Sequence, residues 1–286
     1  MERRILGRTG KELSIVGIGG VTFVGADQAE SDKIVAEALD LGVNYVDVAP
    51  SYGTDQETEK RLGGALLGKR DSVFLACKTG RRDKEGAEAE LLRSLKNLQT
   101  DYFDLYQLHS ITTIEEVDQV FAPGGAMGTI LAARDKGIIK HIGFSAHSVE
   151  AALHAMDLFD FESALFPINF VTMMNGNFGP QIIARAQEKG VARLALKAMA
   201  RTSWKEGEPV THPNCWYQPL TDPHVAELAL RFTLSQPITA AIPPGDARLF
   251  RLALSLAQNF RPITAEETEE LKAYAVGLNP IFKYAA

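Results

Sequence analysis

Short apolar runs rich in Val, Ile and Phe alternate along the chain with longer segments of helical periodicity, the signature of β-α-β units and a parallel sheet. Eight units can be traced, with strands expected at 15–19, 45–49, 73–79, 103–108, 141–146, 164–170, 193–200 and 238–243. The clearest helix is AEAELLRSLKNL, where Leu91, Leu92, Leu95 and Leu98 are expected on one face and Glu90, Arg93 and Lys96 toward the other. Gly42, Gly137 and Gly190 each stand just before a strand, where a glycine can take the left-handed conformation that closes a helix. The strand-to-helix connections are longer, notably 80–86, 110–126 and 201–223. A doubly wound open sheet would alternate in the same way, but eight units without a linker or repeat favour a closed (β/α)8 TIM barrel of the α/β class. The segment RRILGRTGKELS is expected to form an N-terminal hairpin closing the far end, and a helix ends the chain, so 1–286 reads as a single barrel domain.

With 286 residues and 45% hydrophobic content, the chain can bury a large core. Its net charge of -6 contains no basic block, which argues against nucleic acid and anionic membrane partners and for a small molecule. The start lacks an apolar leader and no later segment is apolar enough to span a membrane, so a cytoplasmic protein is expected. Cys77 and Cys215 stand apart, in no disulfide framework or cluster motif, and read as reduced thiols. His147, His212 and His224 lack the spacing of zinc hydrolases, and no metal site is expected.

Candidate chemistry lies at the strand ends, in VDVAPSYG, VFLACKT and FDLYQLHS, which would bring Asp47, Tyr52, Lys78 and His109 to one barrel rim. Singly, each has an ordinary reading: a helix cap for Asp47, a packed loop aromatic for Tyr52, a structural imidazole for His109. Lys78 ends so apolar a run that it needs a partner, and Asp47 is the natural one. Together they make a site, since an ammonium beside a tyrosine stabilises the phenolate, lowering its pKa for proton transfer, while an imidazole can orient a carbonyl oxygen.

In that order, DVAPSYG, CKTG and LYQLHS resemble the aldo-keto reductase family, and the similarity runs from the initial LGRTG through the eighth helix. The resemblance implies a catalytic tetrad on Asp47, Tyr52, Lys78 and His109. It also implies hydride transfer between NADP(H), with NAD possible, and a small aldehyde or ketone. Tyr52 would donate the proton, Lys78 held by Asp47 would tune it, and His109 would position the carbonyl oxygen. Oligomeric state is not readable.

The cofactor half departs from the family pattern. The resemblance implies that Gly20, Val21 and Thr22 end the first strand near the cofactor, with Phe23 either facing the pocket or packed under a loop. Ser145 keeps the family's residue, but Ala146 replaces an amide. Near Pro167 and Ile168, Asn169 is the nearest amide for the nicotinamide carboxamide. Lys197 stands where an aromatic is usual, either favouring uncharged reduced nicotinamide or pairing with an acid at the rim. AIPPGDARLFR resembles the phosphate-gripping segment, with Gly245 and the N-terminus of the following helix presenting backbone amides to phosphate. Arg248 or Arg251 would read a 2′-phosphate, favouring NADP, or belong to a solvated helix face. Trp204, Trp216 and Tyr217, in the seventh loop, wall the site or anchor the loop. Two rival readings stand beside the reductase: a nicotinamide-binding sensor or regulatory barrel with little turnover, and a barrel without dinucleotide that uses Lys78 or Lys197 for Schiff-base chemistry.

Overall fold

In the computed structural model, which describes residues 1–285, eight parallel strands follow one another around a single sheet. They are β1 (Ile18–Gly19), β2 (Tyr45–Asp47), β3 (Phe74–Thr79), β4 (Phe103–Ile111), β5 (Ile139–Ala146), β6 (Ser163–Pro167), β7 (Ala192–Leu196) and β8 (Ala240–Ile242). The expected first strand divides its partners. Ile18 and Gly19 pair with β2, while Val16 bridges Ala241 of β8 and closes the barrel. Gly17 N donates to Ala241 O at 3.0 Å, and Ala241 N donates to Ile15 O at 2.9 Å.

Side chains alternate across each pleat, so every second residue of a strand points into the barrel. Tyr45, Phe74, Ala76, Leu105, Leu165, Leu194 and Ala240 form one interior cluster. The N-terminal hairpin, Arg3–Ile5 against Glu12–Ser14, closes its lower end by adding Leu6 and Leu13, both fully buried. A second, larger cluster lies between sheet and helices. Two steps up from Tyr45 comes Asp47, two up from Ala76 comes Lys78, and two and four up from Leu105 come Gln107 and His109. The same pleat thus presents hydrocarbon below and polar groups above.

Gly42, Gly137 and Gly190 take φ of 84°, 73° and 66°, as a left-handed helix end requires. Elsewhere the boundaries differ from expectation. β6 stops at Pro167, and Asn169 caps a helix, Phe170–Gly176, where the strand was expected to continue. β7 stops at Leu196 because Lys197 adopts φ 63°. Ala200–Ser203 instead pairs antiparallel with Tyr217–Pro219. β4 continues past His109, with a register irregularity between Leu108 and Ile111 where Ser110 takes φ 54°. The supposed loop 110–126 contains the helix Ile114–Phe121, opened by a Thr113/Glu116 capping box.

In the helix Lys84–Asn97, Leu91 is buried but Leu92 is 56% exposed, since 91, 95 and 98 share a stripe that 92 leaves by one 100° step. Glu90 is buried, contrary to its expected outward placement. It accepts hydrogen bonds from Thr79 Oγ1 at 2.7 Å and Gly80 N at 2.9 Å. Cys77 and Cys215 are buried free thiols. Among the described residues, no helix is long and apolar enough to cross a membrane.

Candidate active site

The rim residues meet around Lys78. Its ammonium, buried at the end of β3, donates to the Asp47 carboxylate and to Val48 O at 3.2 Å, and lies 3.4 Å from the Tyr52 hydroxyl. Asp47 also accepts from Gln107 Nε2 at 2.9 Å and from the Tyr45 hydroxyl at 3.2 Å. A buried ion pair is favourable only when its remaining polar atoms are satisfied, and these donors do that for the carboxylate. The His109 ring meets Tyr52 edge-on at 5.7 Å, and its Nδ1 is 3.5 Å from Ser51 Oγ. Gln107 and Tyr45 were missed in the sequence although their parity is that of His109 and Asp47.

Burial acts on each titrating group. For Tyr52, the cost of a buried phenolate outweighs the attraction of Lys78, so its pKa is raised rather than lowered as the sequence suggested. The hydroxyl therefore keeps its proton at neutral pH. Burial pulls Lys78 down, but Asp47 and Tyr52 more than restore it, and the ammonium stays charged. His109 lies well below its ordinary value, first from burial and then from Lys78, so its imidazole is neutral.

A cavity of about 250 Å³ opens above Lys78, with Asp47, Tyr52, His109, Ser145, His147, Leu196, Lys197, Trp216 and Gly245 in its wall. That volume holds a ring and a small substrate but not a whole dinucleotide, whose remainder would lie in open groove. Gly19 and Val21 line the wall beside Gly245, and a Cβ on Gly245 would stand 2.3 Å from Val21 Cγ1, so only glycine lets the two loops meet. Gly20 and Thr22 occupy the same turn, Gly20–Phe23. Thr22 Oγ1 is buried without a protein partner, and Phe23 is packed in the core rather than the pocket. Ser145 Oγ accepts from Ser110 N at 2.7 Å, fixing the turn that follows His109.

Other expected cofactor residues are placed differently. Asn169 does not line the cavity; its Oδ1 accepts from Thr172 N at 2.8 Å and Thr172 Oγ1 at 2.9 Å. Arg251 is held by Glu37 at 2.7 Å and Glu30 at 2.8 Å. Arg248 is exposed and pairs with Asp246 at 3.0 Å. Asp246 itself caps the following helix, accepting from Arg248 N and Leu249 N, the amides expected to meet phosphate. Trp204 anchors the seventh loop through Nε1 to Cys215 O at 2.8 Å, whereas Trp216 and Tyr217 line the cavity.

Lys197 is half-buried in that wall, its Nζ 5.3 Å from the Trp216 ring centroid and 5.8 Å from that of Phe282. Among the described residues, no carboxylate forms a salt bridge with it. Burial, and then Lys78, lower its pKa to about 8. His147 borders the same space, with Nδ1 3.0 Å from Ser110 Oγ and its ring 4.9 Å from Phe282. Burial followed by Lys197 lowers its pKa to about 3.

Comparison with known proteins agrees with this architecture. The uncharacterized oxidoreductase YqkF of Bacillus subtilis is 25% identical over 96% of each chain. The aldo-keto reductase YhdN of the same organism is 36% identical over 52% of this chain and 48% of that one. In fold, the aldo-keto reductase AKR11C1 from Bacillus halodurans, in its holo form, matches with a TM-score of 0.75 over 96% of both chains at 24% identity. The profile of the Aldo/keto reductase family matches residues 16–212, which take in the four rim residues around Lys78; the chain belongs to that family and is an oxidoreductase.

Proposed function

We propose that this protein is an NAD(P)H-dependent reductase of small aldehydes and ketones in which Tyr52 donates the proton. The observation that carries this reading is the position of Lys78 Nζ, which touches both Asp47 and the Tyr52 hydroxyl at the floor of a cavity. The walls suit a nicotinamide: apolar Leu196 and Ile242 oppose a polar rim, and the unpartnered Thr22 Oγ1 sits in the adjoining turn. Gly20, Val21, Thr22, Ser145 and Gly245 would hold the dinucleotide. When bound, the reduced nicotinamide supplies the hydride.

The chain's own residues do the rest. Neutral His109, with Ser51 beside Nδ1, presents Nε2–H to the carbonyl oxygen. Tyr52, kept protonated by burial, gives its proton to that oxygen as negative charge develops on it. Lys78 stabilises the phenolate left behind, while Asp47, itself held by Gln107 and Tyr45, keeps the ammonium in place. With a reduced dinucleotide bound, one hydride and one proton would add across the C=O bond, leaving an alcohol and the oxidised dinucleotide. Support for a 2′-phosphate reader weakens, since Arg251 serves Glu30 and Glu37 while Arg248 serves Asp246, so the reading extends to both NADPH and NADH.

Fluorescence titration with NADPH and NADH, followed by cofactor oxidation with a panel of aldehydes, tests this. Tyr52→Phe is expected to lower kcat by roughly 10²- to 10⁴-fold while leaving dinucleotide affinity unchanged. Undiminished turnover in that variant would remove Tyr52 as the donor. Tight binding without turnover on any aldehyde would favour a sensor.

A further inference from the structure

A cation without an acid partner stands in the wall of the cavity, and the proposed proton transfer does not use it. Lys197 Nζ is flanked by Trp216 and Phe282 at 5.3 and 5.8 Å, with no carboxylate salt bridge among the described residues. His147 lies on the same side, its ring tilted against that of Phe282, with Nδ1 beside Ser110 Oγ. The imidazole is neutral, so its Nε2 can donate a hydrogen bond without adding charge. Asp47, the acid in the lining, is engaged by Lys78, Gln107 and Tyr45. The wall also places Lys197 in a left-handed conformation, φ 63°, which a non-glycine residue adopts only when its surroundings impose it.

We infer that the cavity is built for a carbonyl substrate carrying an anionic group, a carboxylate in the simplest case. Lys197 binds that group and His147 supports it, while the carbonyl lies between Tyr52 and His109. The aromatic pair has two effects. Trp216 and Phe282 keep the ammonium over their faces when no anion is present, and they exclude water from the contact when one is. Depression of the Lys197 pKa fits an ammonium lacking its counter-ion, which an anionic ligand would supply. The inference rests on the reductase reading and names the substrate class for it.

The test compares 4-carboxybenzaldehyde with benzaldehyde as substrates of the full-length protein and its Lys197→Met and Lys197→Arg variants, with NADPH and then NADH. Wild-type kcat/KM should favour the carboxylated aldehyde. Lys197→Met should reduce that preference by about 10- to 100-fold, the size of one charge-assisted hydrogen bond, chiefly through KM. Lys197→Arg should retain most of it. Lack of preference in the wild type, or a preference untouched by Lys197→Met, would overturn the inference and leave the reductase reading standing. Equal losses on both aldehydes, with weaker dinucleotide binding in Lys197→Met, would assign the cation to the cofactor and also overturn it. Failure to oxidise either dinucleotide with any aldehyde would remove the reductase reading itself.

Discussion

Two features of Lys197 are expected to cost stability. Its left-handed backbone costs a side-chain-bearing residue about 1 kcal/mol, and its ammonium is partly desolvated without a counter-ion. The sign of the pH effect follows. Because its pKa is lower in the folded chain than in the unfolded one, the unfolded chain takes up the proton first as pH falls. No penalty exists above the ordinary lysine value; stability drops as pH falls from there toward 8 and stays reduced below. At pH 7, Lys197→Met should therefore be more stable in urea by on the order of 2 kcal/mol, with the gain fading toward pH ~10.5. A variant no more stable than wild type at pH 7 would contradict this. Residue identities at the rim were legible because a lysine ending VFLAC demands a partner and Asp47 supplies one. The direction of the Tyr52 shift was not, since it depends on how far burial exceeds the pull of Lys78, a three-dimensional quantity.

At the scale of the element, the site is a matter of parity. Inward residues repeat every second position, so Gln107 follows from His109, and Tyr45 from Asp47, once the strands are placed. Strand existence was readable from apolar runs; strand ends were not, because the stops at Pro167 and Lys197 depend on backbone geometry around a proline and a left-handed lysine. The Thr113/Glu116 pair was a readable helix start that loop length obscured. The hairpin under the barrel is structural, remote from Lys78 and Tyr52. Leu13→Ala should remove about 2–4 kcal/mol of stability, seen as a lower urea midpoint, with NADPH affinity unchanged after refolding controls. A midpoint within error of wild type would mean that the hairpin does not plug the barrel.

Across the whole molecule, closure is uneven. β4 and β5 share six register pairs, whereas β8 meets the first segment through the Val16–Ala241 bridge. Local opening should begin at that seam. The amides of Gly17 and Ala241 are expected to exchange with deuterium faster than those of Tyr106 and Ile142, measured residue by residue in native buffer. Equal protection would place the weakest point elsewhere. The eight-unit alternation made the barrel legible, but contacts between distant loops, such as Val21 against Gly245, had no local signal. Trp216, 55% exposed at the cavity mouth, has a further consequence. The chain has two tryptophans, and the other, Trp204, is tied down by Cys215 O. Any molecule entering the cavity changes the surroundings of an intrinsic fluorophore, so the protein carries its own optical gauge of occupancy and needs no label to report it.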